Sequence, residues 1–416
     1  MTTRQSASPA APATATRTGL PALRDEARRR DERDPLTAYA SRYATGGAVH
    51  LNGNSLGPPR ESLTSALGGV VSGQWAPRQV RAWFQDGWLD LPRTVGDKLA
   101  PLLGAGPGQV VVAGETTSTT LFNALVAACR LRADRPVLLV EAGAFPTDLY
   151  IADSVARLLD RRLVVEPRAG FDAYLATHGR QTAAALTAPV DFRTGERRAI
   201  GPTTALCHTA GAVSVWDLSH AAGVLPVELD ACAVDLAVGC GYKYLGGGPG
   251  APAFLYVRSD LQPDVDFPLA GWHGHARPFA MAPEFEPAEG VDRGRTGTPP
   301  LLSLAALDHA LDPLVDTGIR ELHRRGRDLG EFFLTCLGEG RPDLPRRLAS
   351  PRDPDLRGGH LALRVPDAEG LEQALAGAGV LVDARPPDLV RFAFAPLYVT
   401  HEQVWRAVRE LHRALP

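Results

Sequence analysis

Seven short, almost wholly apolar runs follow one another up to residue 257: QVVVAG, RPVLLVEA, RLVVEP, TAAALTAP, AVSVWD, VDLAVGC and APAFLYV. A strand with one wet face alternates apolar and polar residues. These do not, so they predict strands buried on both faces. Helical or turn segments separate most of them. DKLAPLLGAG precedes the first run and stops on glycine. TTSTTLFNALVAACRL opens on hydroxyl residues and runs apolar at helical spacing, and TDLYIADSVARLLDRR reads as a capped helix. The alternation predicts an α/β fold, with a mostly parallel central sheet flanked by helices. VDLAVGC and APAFLYV lie too close for a helical crossover, so that pair is expected to be antiparallel.

After about residue 300 the pattern changes. Two long helices, PPLLSLAALDHALDPLVDTG and IRELHRRGRDLGEFFLTCL, lead to a strand (HLALRVP), a helix (GLEQALAGAG), two strands within VLVDARPPDLVRFAF and a last helix, HEQVWRAVRELHRAL. This reads as a smaller α+β C-terminal domain. The length of 416 residues suits one large and one small domain. A net charge of −3, with no basic stripe interleaved with aromatics, implies no nucleic-acid partner. RDEARRRDERD reads as a solvated helix face. The five cysteines, at 129, 207, 232, 240 and 336, show no metal-ligand spacing and imply neither disulfides nor a metal site. The Ala/Thr/Pro-rich start lacks the apolar core of a signal peptide, and no apolar run is long enough to span a membrane. A cytoplasmic location and no membrane partner are expected.

Ligands of open α/β sheets bind beyond the carboxyl ends of the strands. After QVVVAG come Glu115, Thr116, Thr117 and Ser118 at a helix start, either a plain N-cap or a phosphate site. After RPVLLVEAGA come Phe145 and Asp148; the aromatic either joins the core or covers a flat ring. AVSVW ends on Asp217, followed by Ser219 and His220. Asp217 is either a helix cap or the partner of a buried cation. VDLAVGC runs into Tyr242 and Lys243, and a lysine there is either a solvated strand end or an employed amine. Asp217 and Lys243 stand 26 residues apart, about one strand–helix–strand unit. No GxxxxGK[ST] or GxGxxG occurs. A phosphate cradle, a stacking aromatic, a carboxylate and a lysine at successive strand ends fit pyridoxal 5′-phosphate, which needs each of them.

WDLSHAAGVLPVELDACAVDLAVGCGYKYLGGGPGAPAFLYV closely resembles the cofactor-lysine region of kynureninases, which are fold-type-I pyridoxal-phosphate enzymes. LNGNSLGPPR, WFQDGWLDLPRTVGDKLAPLLGA, FPTDLYIADS, VDFRTGERR, GWHGHARPFAMAPEFEPAEGV and VRFAFAPLY are similar to that family in the same order, over residues 35 to 410. The resemblance implies hydrolytic cleavage of L-kynurenine, with its 3-hydroxy form as an alternative substrate, to anthranilate and L-alanine in tryptophan catabolism and NAD-related metabolism. It implies that Lys243 forms the Schiff base and that Tyr242 contacts phosphate and assists proton transfer. Asp217 would pair with the ring nitrogen, and His220 would lie at the cofactor's polar edge. Thr117 and Ser118 would bind phosphate, Phe145 would lie on the ring, and Asp148 would fix its loop. Trp272 and Thr298 would reach the site from the partner subunit of a homodimer. Arg391 would take the substrate α-carboxylate, with Asn54 and Ser55 nearby.

The implied domains are a disordered tail (1–20), an N-terminal segment near the small domain and active site (21–60), a large cofactor domain (61–315) and a small C-terminal domain (316–416). Two features depart from the family pattern. Ala188-Pro189 stands where a polar residue is usual, and His401 falls where none is expected. Thr298 leans the substrate toward unsubstituted kynurenine. The competing readings are another enzyme of the same fold, such as a cysteine desulfurase or an aminotransferase, or a non-catalytic relative. A desulfurase needs a mobile nucleophilic cysteine, and Cys336 sits in an apolar helix instead.

Overall fold

The protein is described here from a computed structural model covering residues 19–415. Most of the expected tail, residues 1–18, lies outside the described residues, and Leu20 already begins a helix. The seven apolar runs form one seven-stranded sheet: β1 (Val110–Gly114), β2 (Val137–Glu141), β3 (Arg162–Glu166), β4 (Thr182–Thr187), β5 (Val213–Asp217), β6 (Leu236–Cys240) and β7 (Ala253–Val257). Their order across the sheet is β3-β2-β4-β5-β6-β7-β1. β7 runs antiparallel to both of its neighbours, as the short β6–β7 connection requires, and the other pairs are parallel. The carboxyl ends of β1, β2, β5 and β6 therefore emerge at one edge, where β7 begins.

Helices cover both faces. Thr117–Arg130 buries Leu121, Ala124, Leu125 and Ala128 against the sheet, which explains the small and apolar residues on that helix. Pro146–Leu158 differs from the expected capped helix. Phe145 occupies the N-cap position without a side-chain cap, and Pro146 opens the helix, where the missing N–H costs nothing. Phe145 is thus turned toward the space beyond the sheet edge rather than into the core, and it is 37% exposed.

The glycines after Lys243 let the chain fold back on itself. Gly247 N–H donates to the Gly241 carbonyl at 2.9 Å, and a Cβ on Gly247 would stand 2.9 Å from that oxygen. Gly248 adopts φ +83°, a left-handed conformation that only glycine takes freely.

Toward the C-terminus, helices Leu301–Thr317 and Ile319–Gly338 lead to a three-stranded antiparallel sheet: β8 (His360–Arg364), β9 (Asp383–Arg385) and β10 (Leu389–Ala393), with β10 central. Helix Ala368–Gly377 packs against it, and helix His401–Ala414 packs on Ile319–Gly338 and Ala368–Gly377. The N-terminal segment joins this unit. Val49–His50 pairs in parallel with Val380–Leu381, and helix Leu20–Arg33 lies along His401–Ala414. The arginine-rich helix is accordingly less solvated than its sequence suggests. Ala27 is buried, Arg24 and Arg28 pair with Glu402, and Arg30 pairs with Asp328.

Candidate active site

The edge where β1, β2, β5 and β6 end holds a cavity of ≈ 240 Å³. Each strand end delivers its share of the wall: Glu115 to Ser118 after β1, Phe145, Thr147 and Asp148 after β2, Asp217 and Ser219 at β5, and Tyr242 and Lys243 after β6. Seven of the residues singled out from sequence thus meet in one place: Thr117, Ser118, Phe145, Asp148, Asp217, Tyr242 and Lys243. Lys243 Nζ lies 5.6 Å from the Phe145 ring centroid and 3.3 Å from Nε2 of His220. His220 is buried. Burial, then the charges of Lys243 and Arg391, hold its imidazole far below its usual range, so it is neutral and accepts from the lysine ammonium.

Asp217 closes β5 with a local turn. Its Oδ1 accepts from Ser219 N at 2.9 Å and from Ser219 Oγ at 2.6 Å, which fixes the carboxylate's orientation. Asp148 faces it within hydrogen-bonding reach. Burial, then the Asp217 charge, pushes the Asp148 carboxyl well above the ordinary carboxylate range. Two buried carboxylates in contact call for a cation or a shared proton between them. Thr116 caps helix Thr117–Arg130 by accepting from Thr119 N at 3.2 Å, so the N–H groups of Thr117 and Ser118 face the cavity end without a side-chain cap of their own. Burial, then Cys240 and Asp217, raises the Tyr242 phenol, which stays protonated at neutral pH.

These groups fit pyridoxal 5′-phosphate. A protonated ring nitrogen is the cation the facing carboxylates lack. The helix N-terminus with its hydroxyls suits a phosphate, Phe145 offers a ring face, and Lys243 offers an amine to the aldehyde.

Other predicted residues sit elsewhere. Arg391 is fully buried and engaged: Nη2 pairs with Asp383 Oδ2 at 2.8 Å, Nη1 donates to the Phe192 carbonyl, and Nε and Nη2 donate to the Asn54 side-chain oxygen at 3.1 and 3.2 Å. Ser55 turns back on Asn52 through a 2.8 Å backbone bond. Trp272 and Thr298 do not reach this cavity within one chain. Thr298 lines a small separate pocket that shares Glu115 with it. Trp272 stands at the surface, edge-on to Phe279 at 5.5 Å, and Phe279 packs on Phe84, which is 63% exposed. His273 and His275 are buried in the same loop, with His273 bonded to Arg295 at 2.7 Å. Sequence reading missed Phe192, Asp383 and His360, which surround Arg391 and His220. Phe192 lay within the quoted VDFRTGERR; nothing local marks the other two.

Among solved structures, the chain is similar to an apo cysteine desulfurase from Thermococcus onnurineus NA1, with a TM-score of 0.73 at 16% identity over 88% of this chain and 94% of that one. It is also similar to a C-DES variant with glycine covalently linked to its PLP cofactor, with a TM-score of 0.75 at 17% identity over 89% and 98%. Residues 162–346 match the Aminotransferase class-V family. The fold and the cavity together define a fold-type-I pyridoxal-phosphate enzyme. Residues 322–411 match the Kynureninase C-terminal domain. The chain is 38% identical to the kynureninase of Pseudomonas fluorescens over 92% of this chain and 94% of that protein. It is 40% identical to the kynureninase of Deinococcus radiodurans over 91% and 93%. The chain belongs to the kynureninase family.

Proposed function

We propose that this protein hydrolyses the Cβ–Cγ bond of L-kynurenine, giving anthranilate and L-alanine, with pyridoxal 5′-phosphate as its cofactor. The observation that carries this reading is the convergence of Lys243, Asp217, Asp148, Tyr242 and an open helix N-terminus on one cavity, in a chain of the kynureninase family. The bound cofactor supplies an electron sink for bonds broken at the substrate amino acid.

The chain's own residues do the rest. Lys243 Nζ would take the proton from the substrate Cα, with the neutral imidazole of His220 as its hydrogen-bonding neighbour 3.3 Å away. Asp217, oriented by Ser219, would keep a proton on the ring nitrogen, and Thr117 and Ser118 would hold the phosphate. Asp148 would stand near the same ring nitrogen, Phe145 would cover a ring face, and His220 would lie at the polar edge. Water adds to the γ-carbonyl, so its oxygen ends in the anthranilate carboxylate. One proton goes to Cβ of the departing alanine, and Tyr242, kept protonated by burial, delivers it. Arg391, with Asn54 and Ser55 close by, receives the α-carboxylate, for which a planar guanidinium is suited.

We place Trp272 and Thr298 in the site of a second copy. The exposed aromatic group of Trp272, Phe279 and Phe84 supports a homodimer with shared sites, because such patches are rare on monomers. Residues 61–315 form the large domain and 316–416 the small one, with 21–60 packed near the small domain and the site. Thr298 favours unsubstituted kynurenine over the 3-hydroxy form, and the cytoplasm is the working compartment. Among the described residues no helix is long and apolar enough to cross a membrane. A desulfurase role is disfavoured because Cys336 is fully buried and burial pushes its thiol up to about 12.

The test is direct. Purified protein loaded with cofactor is given L-kynurenine and 3-hydroxykynurenine, and anthranilate fluorescence and product absorbance are followed. Turnover of kynurenine at the higher kcat/KM is expected. No turnover of either substrate refutes the reading.

A further inference from the structure

Arg391 is short of donors for the carboxylate assigned to it. A guanidinium has five N–H groups. Asp383, the Asn54 oxygen and the Phe192 carbonyl engage four, which leaves one on Nη1. The Asn54 oxygen takes the Nε/Nη2 edge that a bidentate carboxylate would use, and Asp383 and the Phe192 carbonyl take up donors of the Nη1/Nη2 edge. A second donor has to come from a neighbour.

The register of the small sheet supplies one. Arg391 stands opposite Asp383 on β9 and opposite Ala362 on β8, and His360 lies two residues before Ala362. Side chains two apart on a strand share a face, so His360 and Arg391 are diagonal neighbours. His360 is 1% exposed, and neither ring nitrogen has a hydrogen-bond partner. A buried polar group left so is costly and calls for an explanation. Its ring centroid lies 6.3 Å from that of His220, whose Nε2 is 3.3 Å from Lys243 Nζ. Beside it, the Tyr244 hydroxyl is also unpartnered and sits against Gly359. Burial, then the charges of Arg391, Lys243 and Arg385, keeps His360 neutral, with one N–H to donate and no second positive charge to repel Arg391.

We propose that His360 is a substrate-binding residue that gives the α-carboxylate its second hydrogen bond, beside the remaining Nη1 hydrogen of Arg391. The proposal rests on the function proposed above and names a contact that function left open. An acceptor-only group with two oxygens matches two donors from adjacent strands, and its charge answers the surplus left where Arg385 and Arg391 share the one carboxylate of Asp383.

The experiment compares L-alanine, which carries the carboxylate, with L-alaninamide, which does not, by calorimetry on the holoenzyme. His360→Leu is expected to weaken L-alanine binding and raise KM for L-kynurenine by about tenfold each. Binding of L-alaninamide is expected to hold, and kcat to change less than about threefold. His360→Gln, which keeps a donor, is expected to restore most of the affinity. Unchanged L-alanine binding in His360→Leu, or equal loss for both ligands, overturns the proposal. Melting temperature and cofactor absorbance report folding. If the leucine variant does not fold, His360→Ala carries the same two outcomes, and failure of both to fold assigns His360 to structure and overturns the proposal. Wild-type protein that neither cleaves kynurenine nor binds L-alanine defeats the parent reading. Wild-type protein that does both, with an indifferent His360→Leu, defeats only this one.

Discussion

His401 and His220 are both buried imidazoles at the start of a new segment, yet their surroundings have opposite sign. His401 opens the last helix between two carboxylates, 2.9 Å from Asp31 and 2.8 Å from Asp328. Asp31 also accepts from the backbone N–H groups of His401 and Glu402, and Trp405 Nε1 donates to the Leu20 carbonyl at 2.7 Å. Every charge there has a partner, so the cluster is closed. It ties helix Leu20–Arg33 to helices Ile319–Gly338 and His401–Ala414. Around His220 the set is open: Lys243, Arg391 and Arg385 bring three positive charges and Asp383 pairs with only the two arginines, Asp148 faces Asp217, and the nearby His360 has no partner. Buried charge that is satisfied within the chain is structure, and buried charge that is not waits for a ligand. His401, odd in the sequence, belongs to the first kind.

Substitutions sharpen that contrast because they should separate activity from stability. The largest effect is expected for Lys243→Ala. Kynurenine cleavage falls by at least about a thousandfold, and the cofactor's lysine-bound absorbance band disappears, while the urea midpoint of the cofactor-free protein stays near wild type. Substantial residual turnover breaks the assignment of the open cluster. Asp217→Asn should cost about a hundredfold in kcat with folding intact, because a neutral ring is a poorer electron sink; stopped-flow or steady-state rates equal to wild type remove Asp217 from its role.

At the closed cluster the expectation reverses. His401→Leu should leave kcat within about twofold yet lower unfolding stability by about 2–3 kcal/mol in urea, toward the low end for a broken buried ion pair because Asp328 is partly exposed. Its pH dependence has a definite sign. Burial alone lowers His401, but the bonds to Asp31 and Asp328 raise it above its ordinary value. Its contribution is therefore complete below about 6.5, the unfolded value, and is lost as pH rises through the raised folded value. Asp31 is lifted by burial but carried below its ordinary value by His401 and the two backbone donors, and Asp328 is lowered by His401. Their contributions hold above about 3.9 and fade as pH falls through the lowered values. The wild-type-minus-variant stability difference should thus peak between about pH 4 and 6.5 and shrink in alkali. A difference that stays flat from acid through alkali denies the ion-pair account.

The open cluster was largely legible because it is written at strand ends. A strand buried on both faces has no reason to finish on Asp217 or to lead into Lys243, so those residues announce themselves against their apolar runs. The closed cluster was illegible for the opposite reason. Asp31 and His401 are 370 residues apart, and RDEARRRDERD by itself looks like a wet helix. Arg391 was legible as a type of residue suited to a carboxylate. Its engagement by Asp383 was not, since that depends on how β9 and β10 are paired.

Local chemistry determined much of this protein. Uniform apolar runs and helical spacing decided the α/β class, the short β6–β7 connection decided an antiparallel pair, and the strand-end residues decided which chemistry the sheet edge supports. Tertiary structure alone decided which buried charges are answered. Phe145 faces the cavity because Pro146 starts its helix without a cap. His360 lies beside Arg391 because two strands align in one register. Trp272 is left outside its own chain's cavity, at the surface. Such facts depend on distances between residues far apart in sequence, and only packing determines those distances.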